Sequence, residues 1–341
     1  MASTEKNSFD LLRLVAATLV LFSHQFALLG EFEPSFLGLT TFGGAGVTIF
    51  FFLSGMLVWS SWDRDPDIGR FLARRSLRIF PALWVLVLLS VFIVGPAVSV
   101  LGLSEYFATT ETWRYLSTAV MVIRHKLPGV FGDNPYPFVV NGSLWTLPVE
   151  FLCYATVATV GSLKFASKGL IIAAKLLFLV MLASYLPTFT GARFSPHFEM
   201  MAVFWWGVLY AHCRHQSWKV LLAHKLTCVL TGAALVSFVF FGSRGLERTA
   251  MMLFAAGMVH LASAVATGSK LTEPIGDLSY GVYIFAFPVQ QIFVQWGKLQ
   301  NWGFGAHFTL SLLLTGGLAY LSWHLIEKQA LRFKPSAKAL Q

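Results

Sequence analysis

The chain has 341 residues, 56% of them apolar and only 12% charged, with a mean hydropathy of +0.67. Soluble domains carry about 25% charged residues, so this composition excludes a soluble enzyme and indicates an integral membrane protein built of helices. The net charge of +9 sets orientation in a bilayer and does not indicate nucleic-acid binding.

The apolar runs predict an all-α, polytopic bundle of about ten membrane helices, near 9–30, 43–62, 79–102, 144–161, 169–187, 198–212, 222–241, 249–267, 276–296 and 306–326. One set of loops holds 16 Lys and Arg and the other 7. Both termini are therefore expected in the cytoplasm. The first run, FDLLRLVAATLVLFSHQFALLG, is read as a retained span, since it lacks a small-residue cleavage signature. It carries Arg13 and His24, eleven residues apart. That spacing is three helical turns, so both share one face, about 16 Å apart along the axis. An ionisable group inside a span marks a functional site by default. The structural alternatives are snorkelling for Arg13 and an interhelical hydrogen bond for His24.

The second span opens GGAGVTIFFFLSGMLV, where Gly43, Gly44, Gly46, Gly55 and Ser54 permit close helix approach. In RFLARRSLRIFPALW, Arg70, Arg74, Arg75 and Arg78 cluster at the cytoplasmic end of the third span. Their three- and four-residue spacings give a shared face, and guanidinium forks suit phosphate oxygens. The pattern suits either an anchor on anionic lipid or a seat for a phosphorylated cytosolic ligand. The outer loop Ser104 to Asn141 is long enough to be folded or functional. Its Trp113, Tyr115 and Tyr136 suit either sugar stacking or an interface belt. In NGSLWTLPVEFLCY, Asn141 or Ser143 is expected to cap the fourth helix and Trp145 to lie at the interface. Glu150 falls about 13 Å further down, inside the bilayer, where a carboxylate needs a partner. Asp277, Tyr280, Tyr283, Gln290 and Gln291 share the ninth span, and His324 and Glu327 close the tenth. These read as polar groups that join helices. No metal site is expected: His212 and His215 lack a third ligand, and Cys153, Cys213 and Cys228 have no motif spacing.

Taken in this order, Arg13 and His24, the GGAGVTIFFFLSG span, Arg75 and Arg78 before Ile79-Phe80-Pro81, and NGSLWTLPVEF resemble the acyltransferase family 3 membrane proteins. The resemblance runs through most of the chain. It implies transfer of an acyl group, commonly acetyl, from cytosolic acyl-CoA to a hydroxyl of a sugar or other acceptor on the outer side. It places Arg13 and His24 in the active centre and gives Arg75 and Arg78 to coenzyme A. Acyl-CoA enters as a co-substrate, and no cofactor is bound permanently. The chain departs from the pattern at Ala286, where many relatives carry histidine, and at Gln329, where many have proline soon after the terminal Glu-Lys.

The combined expectation is a single domain over 1–341 in a bacterial plasma (inner) membrane, with no appended soluble domain. It acts on a cell-envelope or secreted carbohydrate, alone or with a separate extracytoplasmic partner. His24 serves as general base or transient acyl carrier, and Glu150 orients or charge-balances it. Arg13, Arg75 and Arg78 bind acyl-CoA, while Asn141, Ser143 and Trp145 form an acceptor-side or structural motif. The rival reading is a transporter of a small molecule or lipid-linked sugar, against which no inverted repeat is visible. A third is a non-catalytic membrane partner whose charges are structural.

Overall fold

The structure is a computed structural model that describes residues 7–162, 196–213, 247–265 and 267–336. The spans expected near 169–187 and 222–241, and the side chains of His212, His215, Cys213 and Cys228, lie outside the described residues. The long helices are α1 (Phe9–Leu28), α2 (Phe42–Arg64), α3 (Ile68–Leu89), α4 (Thr146–Ser162) and α5 (Pro196–Cys213). After them come α6 (247–264), α7 (Ser279–Gln300) and α8 (Phe304–Ser322). Among the described residues the strands are one two-residue hairpin, Ser35–Phe36 with Thr40–Thr41. Five described helical stretches are long and apolar enough to cross a membrane: Phe9–Leu28, Phe42–Arg64, Ile68–Val98, Ser143–Ser162 and Phe304–Phe333.

α2 starts where Thr41 Oγ1 accepts from the Gly44 N–H at 3.0 Å. α3 begins at Ile68, well before the predicted span start at 79. Its first turns are too charged to register as apolar, yet the chain caps them. Asp67 Oδ1 accepts from the Arg70 N–H at 2.8 Å, and Asp65 binds the Arg70 and Arg74 side chains at 2.6 Å each. The arginine cluster is thereby built into a rigid helix. α3 leaves through a π-helical turn, Ser90–Val94.

Packing fixes the relative directions. The carbonyl oxygens of Phe204 and Phe52 occupy the space that a side chain at Gly55 and Gly207 would need, so α2 and α5 run in contact, and with Thr48 near Val203 and Phe52 against Tyr210 they are parallel. α1 and α7 are also parallel, joined by Arg13 to Asp277 at one end and by Gln290 to the Leu21 carbonyl at the other. The start of α1 meets the end of α6, where the Ser8 N–H donates to the Ala262 carbonyl at 2.9 Å. One face of the bundle therefore collects the starts of α1, α3 and α7 with the ends of α2, α6 and α8; it is the basic face. The opposite face carries residues 29–41 and 99–142. That long loop is folded, with short helices over Leu103–Ala108 and Thr110–Arg114 and a 3-10 stretch over Tyr115–Val120. Gln291 on α7 pins its end by donating to the Tyr136 and Val139 carbonyls and accepting from Asn134.

Candidate active site

On the basic face the arginines divide by partner. Arg70 and Arg74 bind Asp65. Arg78 bridges Asp277 at 2.6 Å and Glu327 at 3.1 Å, and Arg13 binds Asp277 at 3.0 Å and Asp10 at 2.7 Å. A π-helical turn over Trp323–Glu327 holds the Glu327 carboxylate, which also accepts from Ser322 at 2.9 Å. Among the described residues Arg75 pairs with no carboxylate. Its Nη2 donates to Ser61 Oγ at 3.0 Å, its guanidinium lies 5.8 Å from the Phe71 ring and 5.9 Å from the Tyr154 ring, and its Nε is buried without a partner. A half-buried cation with no carboxylate in contact is costly, so its position suits an anion brought by a ligand.

These side chains stand between two spaces. The outer one, about 580 Å³, is a vestibule lined by Arg13, Arg74, Arg75, Arg78 and Lys334. The inner one, about 120 Å³, lies between α2, α3, α4 and α7, with Ser54, Glu150, Tyr154, Tyr280 and Tyr283 in its wall. Arg13, Arg75 and Arg78 line both and form the neck.

His24 lies beyond the inner cavity, toward the opposite face. Its ring meets Phe287 edge-on at 5.5 Å, its Nδ1 is buried without a partner, and the charge whose field reaches it is Glu33 in the loop after α1. The expected pairing of Glu150 with His24 is therefore corrected. Glu150 Oε1 accepts from Ser54 Oγ at 2.8 Å and from the Tyr154 hydroxyl at 2.5 Å. The reason is depth. Gly43 packs on Ser23, beside His24, whereas Ser54 meets Glu150; eleven residues of α2 separate these levels by about 16 Å. α7 spans the gap. Tyr283 lines the cavity, and Phe287, one turn on, touches His24 and Tyr136.

A sequence profile described as an acyltransferase domain matches residues 6–324. The chain belongs to acyltransferase family 3. It is 32% identical over 333 residues to an O-acetyl transferase of Shigella phage Sf6, covering 96% of each chain. It is 28% identical over 365 residues to Nodulation protein 10 of Rhizobium leguminosarum bv. viciae, covering 99% of this chain and 96% of that one. No solved structure matches the chain.

The remaining motif residues of this acyltransferase have structural surroundings. Pro288 on α7 has no N–H to offer the Ile284 carbonyl four residues back, and Asn141 Nδ2 donates to that carbonyl instead, at 2.8 Å. Asn141 Oδ1 accepts from the Ser143 N–H at 3.0 Å, ahead of the 3-10 turn Ser143–Trp145 that precedes α4 and has Gly142, not Asn141 or Ser143, at its N-cap. Ser143 is buried and its hydroxyl has no partner. Trp145 sits edge-on to His197 at 5.1 Å. Of the aromatics considered for sugar stacking, Tyr115 is buried and unavailable, while Trp113 and Tyr136 are exposed. His324 and Glu327 do not act together: Glu327 serves Arg78, and His324 Nε2 is buried without a partner. Sequence reasoning read Ser54 only as a small packing residue and missed Tyr154 and Thr146 in the cavity wall. Tyr154 was within reach, since it stands one helical turn from Glu150.

Proposed function

We propose that this acyltransferase moves an acetyl group from acyl-CoA, entering from the cytoplasmic side, to a hydroxyl of a cell-envelope or secreted carbohydrate on the outer side. The observation that carries the reading is Arg75, a guanidinium without a carboxylate among the described residues, at the neck between a basic vestibule and the inner cavity. The basic face is taken as cytoplasmic. Phosphates of coenzyme A bind in the vestibule on Arg75 with Arg74 and Lys334, and the pantetheine arm passes the neck, carrying the thioester into the inner cavity. Arg13 and Arg78, tied to Asp10, Asp277 and Glu327, hold the neck open and position Arg75. His24 takes the proton of the acceptor hydroxyl at the far end. The phage relative's being an O-acetyl transferase supports acetyl as the group moved.

The test uses inside-out membrane vesicles given radiolabelled acetyl-CoA, with label followed into carbohydrate. Wild type is expected to transfer label, His24→Ala to transfer none, and Arg75→Ala to recover its rate when acetyl-CoA is raised. A folded wild type that neither transfers label nor binds acetyl-CoA would overturn the reading.

A further inference from the structure

The inner cavity ends at a group of hydroxyls on the side toward His24. Tyr283 and Thr146 both line it, and both are nearly closed to solvent. The Tyr283 ring is held edge-on by Phe50 at 5.7 Å. Its hydroxyl lies 2.7 Å from Thr146 Oγ1 and 3.0 Å from the Ser143 carbonyl oxygen, and Thr146 Oγ1 lies 3.2 Å from that same oxygen. Each hydroxyl carries one proton. Two protons serve only two of these three contacts at a time. When Thr146 donates to the Ser143 carbonyl, that carbonyl stays paired while the Tyr283 proton turns toward the cavity, and what is given up is the proton between the two hydroxyls at 2.7 Å. A donor that re-aims while the buried carbonyl keeps a partner suits an oxygen that gains charge during the reaction and so replaces the bond given up.

We infer that Tyr283 donates the hydrogen bond that holds the oxyanion of the transfer, with Thr146 taking over the Ser143 carbonyl. This rests on the acyl-transfer reading above. In the step, His24 removes the proton of the acceptor hydroxyl and the alkoxide oxygen bonds to the thioester carbonyl carbon. The carbonyl π pair moves to its oxygen, where the Tyr283 O–H meets it. Collapse breaks the C–S bond, the ester leaves with the acceptor, and coenzyme A departs as thiolate, which takes the proton back from His24. Phe287 lies one turn along α7 from Tyr283, about 6 Å, and touches the His24 ring. The oxyanion donor thus stands on α7 one turn from the ring that packs against the base, His24 of α1.

The same vesicles test this with Tyr283→Phe and Thr146→Val. Tyr283→Phe is expected to lower the rate at saturating acetyl-CoA by about 100-fold or more, the usual cost of one oxyanion donor, with the half-saturating concentration held within about twofold. Thr146→Val is expected to lower it less. A Tyr283→Phe rate within about threefold of wild type overturns the assignment, as does a loss fully recovered by more acetyl-CoA. A second measurement needs no variant: infrared spectra of 13C-carbonyl acetyl-CoA bound to the wild-type protein. A carbonyl stretch below its value in apolar solvent supports a donor at that oxygen; an unshifted band counts against it. An inactive wild type that still binds acetyl-CoA sinks the transfer reading, and this inference with it. An active wild type unaffected by Tyr283→Phe sinks only the role of Tyr283.

Discussion

Arg75 and Arg78 stand three residues apart on one helical face, yet their surroundings predict opposite defects. Arg78→Ala removes the guanidinium between Asp277 and Glu327. Asp277 keeps Arg13 and Ser279, so most of the loss falls on Glu327, which is 1% exposed and retains only the Ser322 hydroxyl. Removing one partner of a buried ion pair costs about 3–5 kcal/mol. Because the Arg78 side chain is itself 22% exposed to the vestibule, the low end of that range, about 3 kcal/mol, is the expected destabilisation. Arg75→Ala orphans no carboxylate. It loses the Ser61 hydrogen bond and two ring contacts, which sum to about 1–2 kcal/mol, and relief of a buried unpaired cation offsets part of that. In thermal melts in one detergent, Arg78→Ala should unfold well below wild type and Arg75→Ala close to it, while acetyl-CoA affinity falls in Arg75→Ala. Arg78→Ala/Glu327→Gln should regain part of the lost stability, since it removes the orphaned charge. Equal melting of the two single variants, or no recovery in the double, would refute this division of roles.

Gly55→Ala should cost about 1–3 kcal/mol by forcing α2 from α5, whereas Gly316→Ala, which meets nothing within 4 Å, should be neutral or slightly stabilising in the same melts. Asn141→Ala should destabilise by about 1–3 kcal/mol by leaving the Ile284 carbonyl bare; adding Pro288→Ala restores an N–H to that carbonyl and should recover part of the loss. Asp65, in the turn between α2 and α3, is held well below the usual carboxylate range because Arg70 and then Arg74 donate to it. A carboxylate depressed in the folded state adds stability above its unfolded value and loses it as pH falls toward the folded one. Melts should therefore be insensitive to Asp65 ionisation from pH 7 to about 5, and the difference between wild type and Asp65→Asn should shrink only below about pH 4.

The helical character and the special stretches were legible because hydropathy and helical spacing are local properties. Arg13, Arg75 and Arg78 do meet, at the neck. The start of α3 was not legible, because its first turns are held by a cap and by Asp65 and not by apolar residues. The partner of Glu150 was hidden for another reason. Sequence fixes how far a residue lies along its own helix, but not the depth at which two helices meet, and here α2 sets His24 and Glu150 about three turns apart. Tyr115 was misjudged because an aromatic residue in an outer loop looks the same in sequence whether it faces solvent or a core.

The distribution of carboxylates argues that the basic face is more than an anchor. A surface built only to hold anionic lipid gains from every exposed cation and has no need of buried ones. Here five carboxylates, Asp10, Asp65, Asp67, Asp277 and Glu327, bind every other member of the Arg13, Arg70, Arg74, Arg75 and Arg78 cluster, and among the described residues none binds Arg75, whose Nε is shut away from solvent. Packing it between Phe71 and Tyr154 fixes its direction without cancelling its charge. Tyr154 in turn binds Glu150, so the arginine at the mouth is mechanically tied to the carboxylate inside the cavity. The side chains that Glu150 contacts are those of Tyr154 and Ser54, and under the proposed function an anion at Arg75 is expected to bear on that chain.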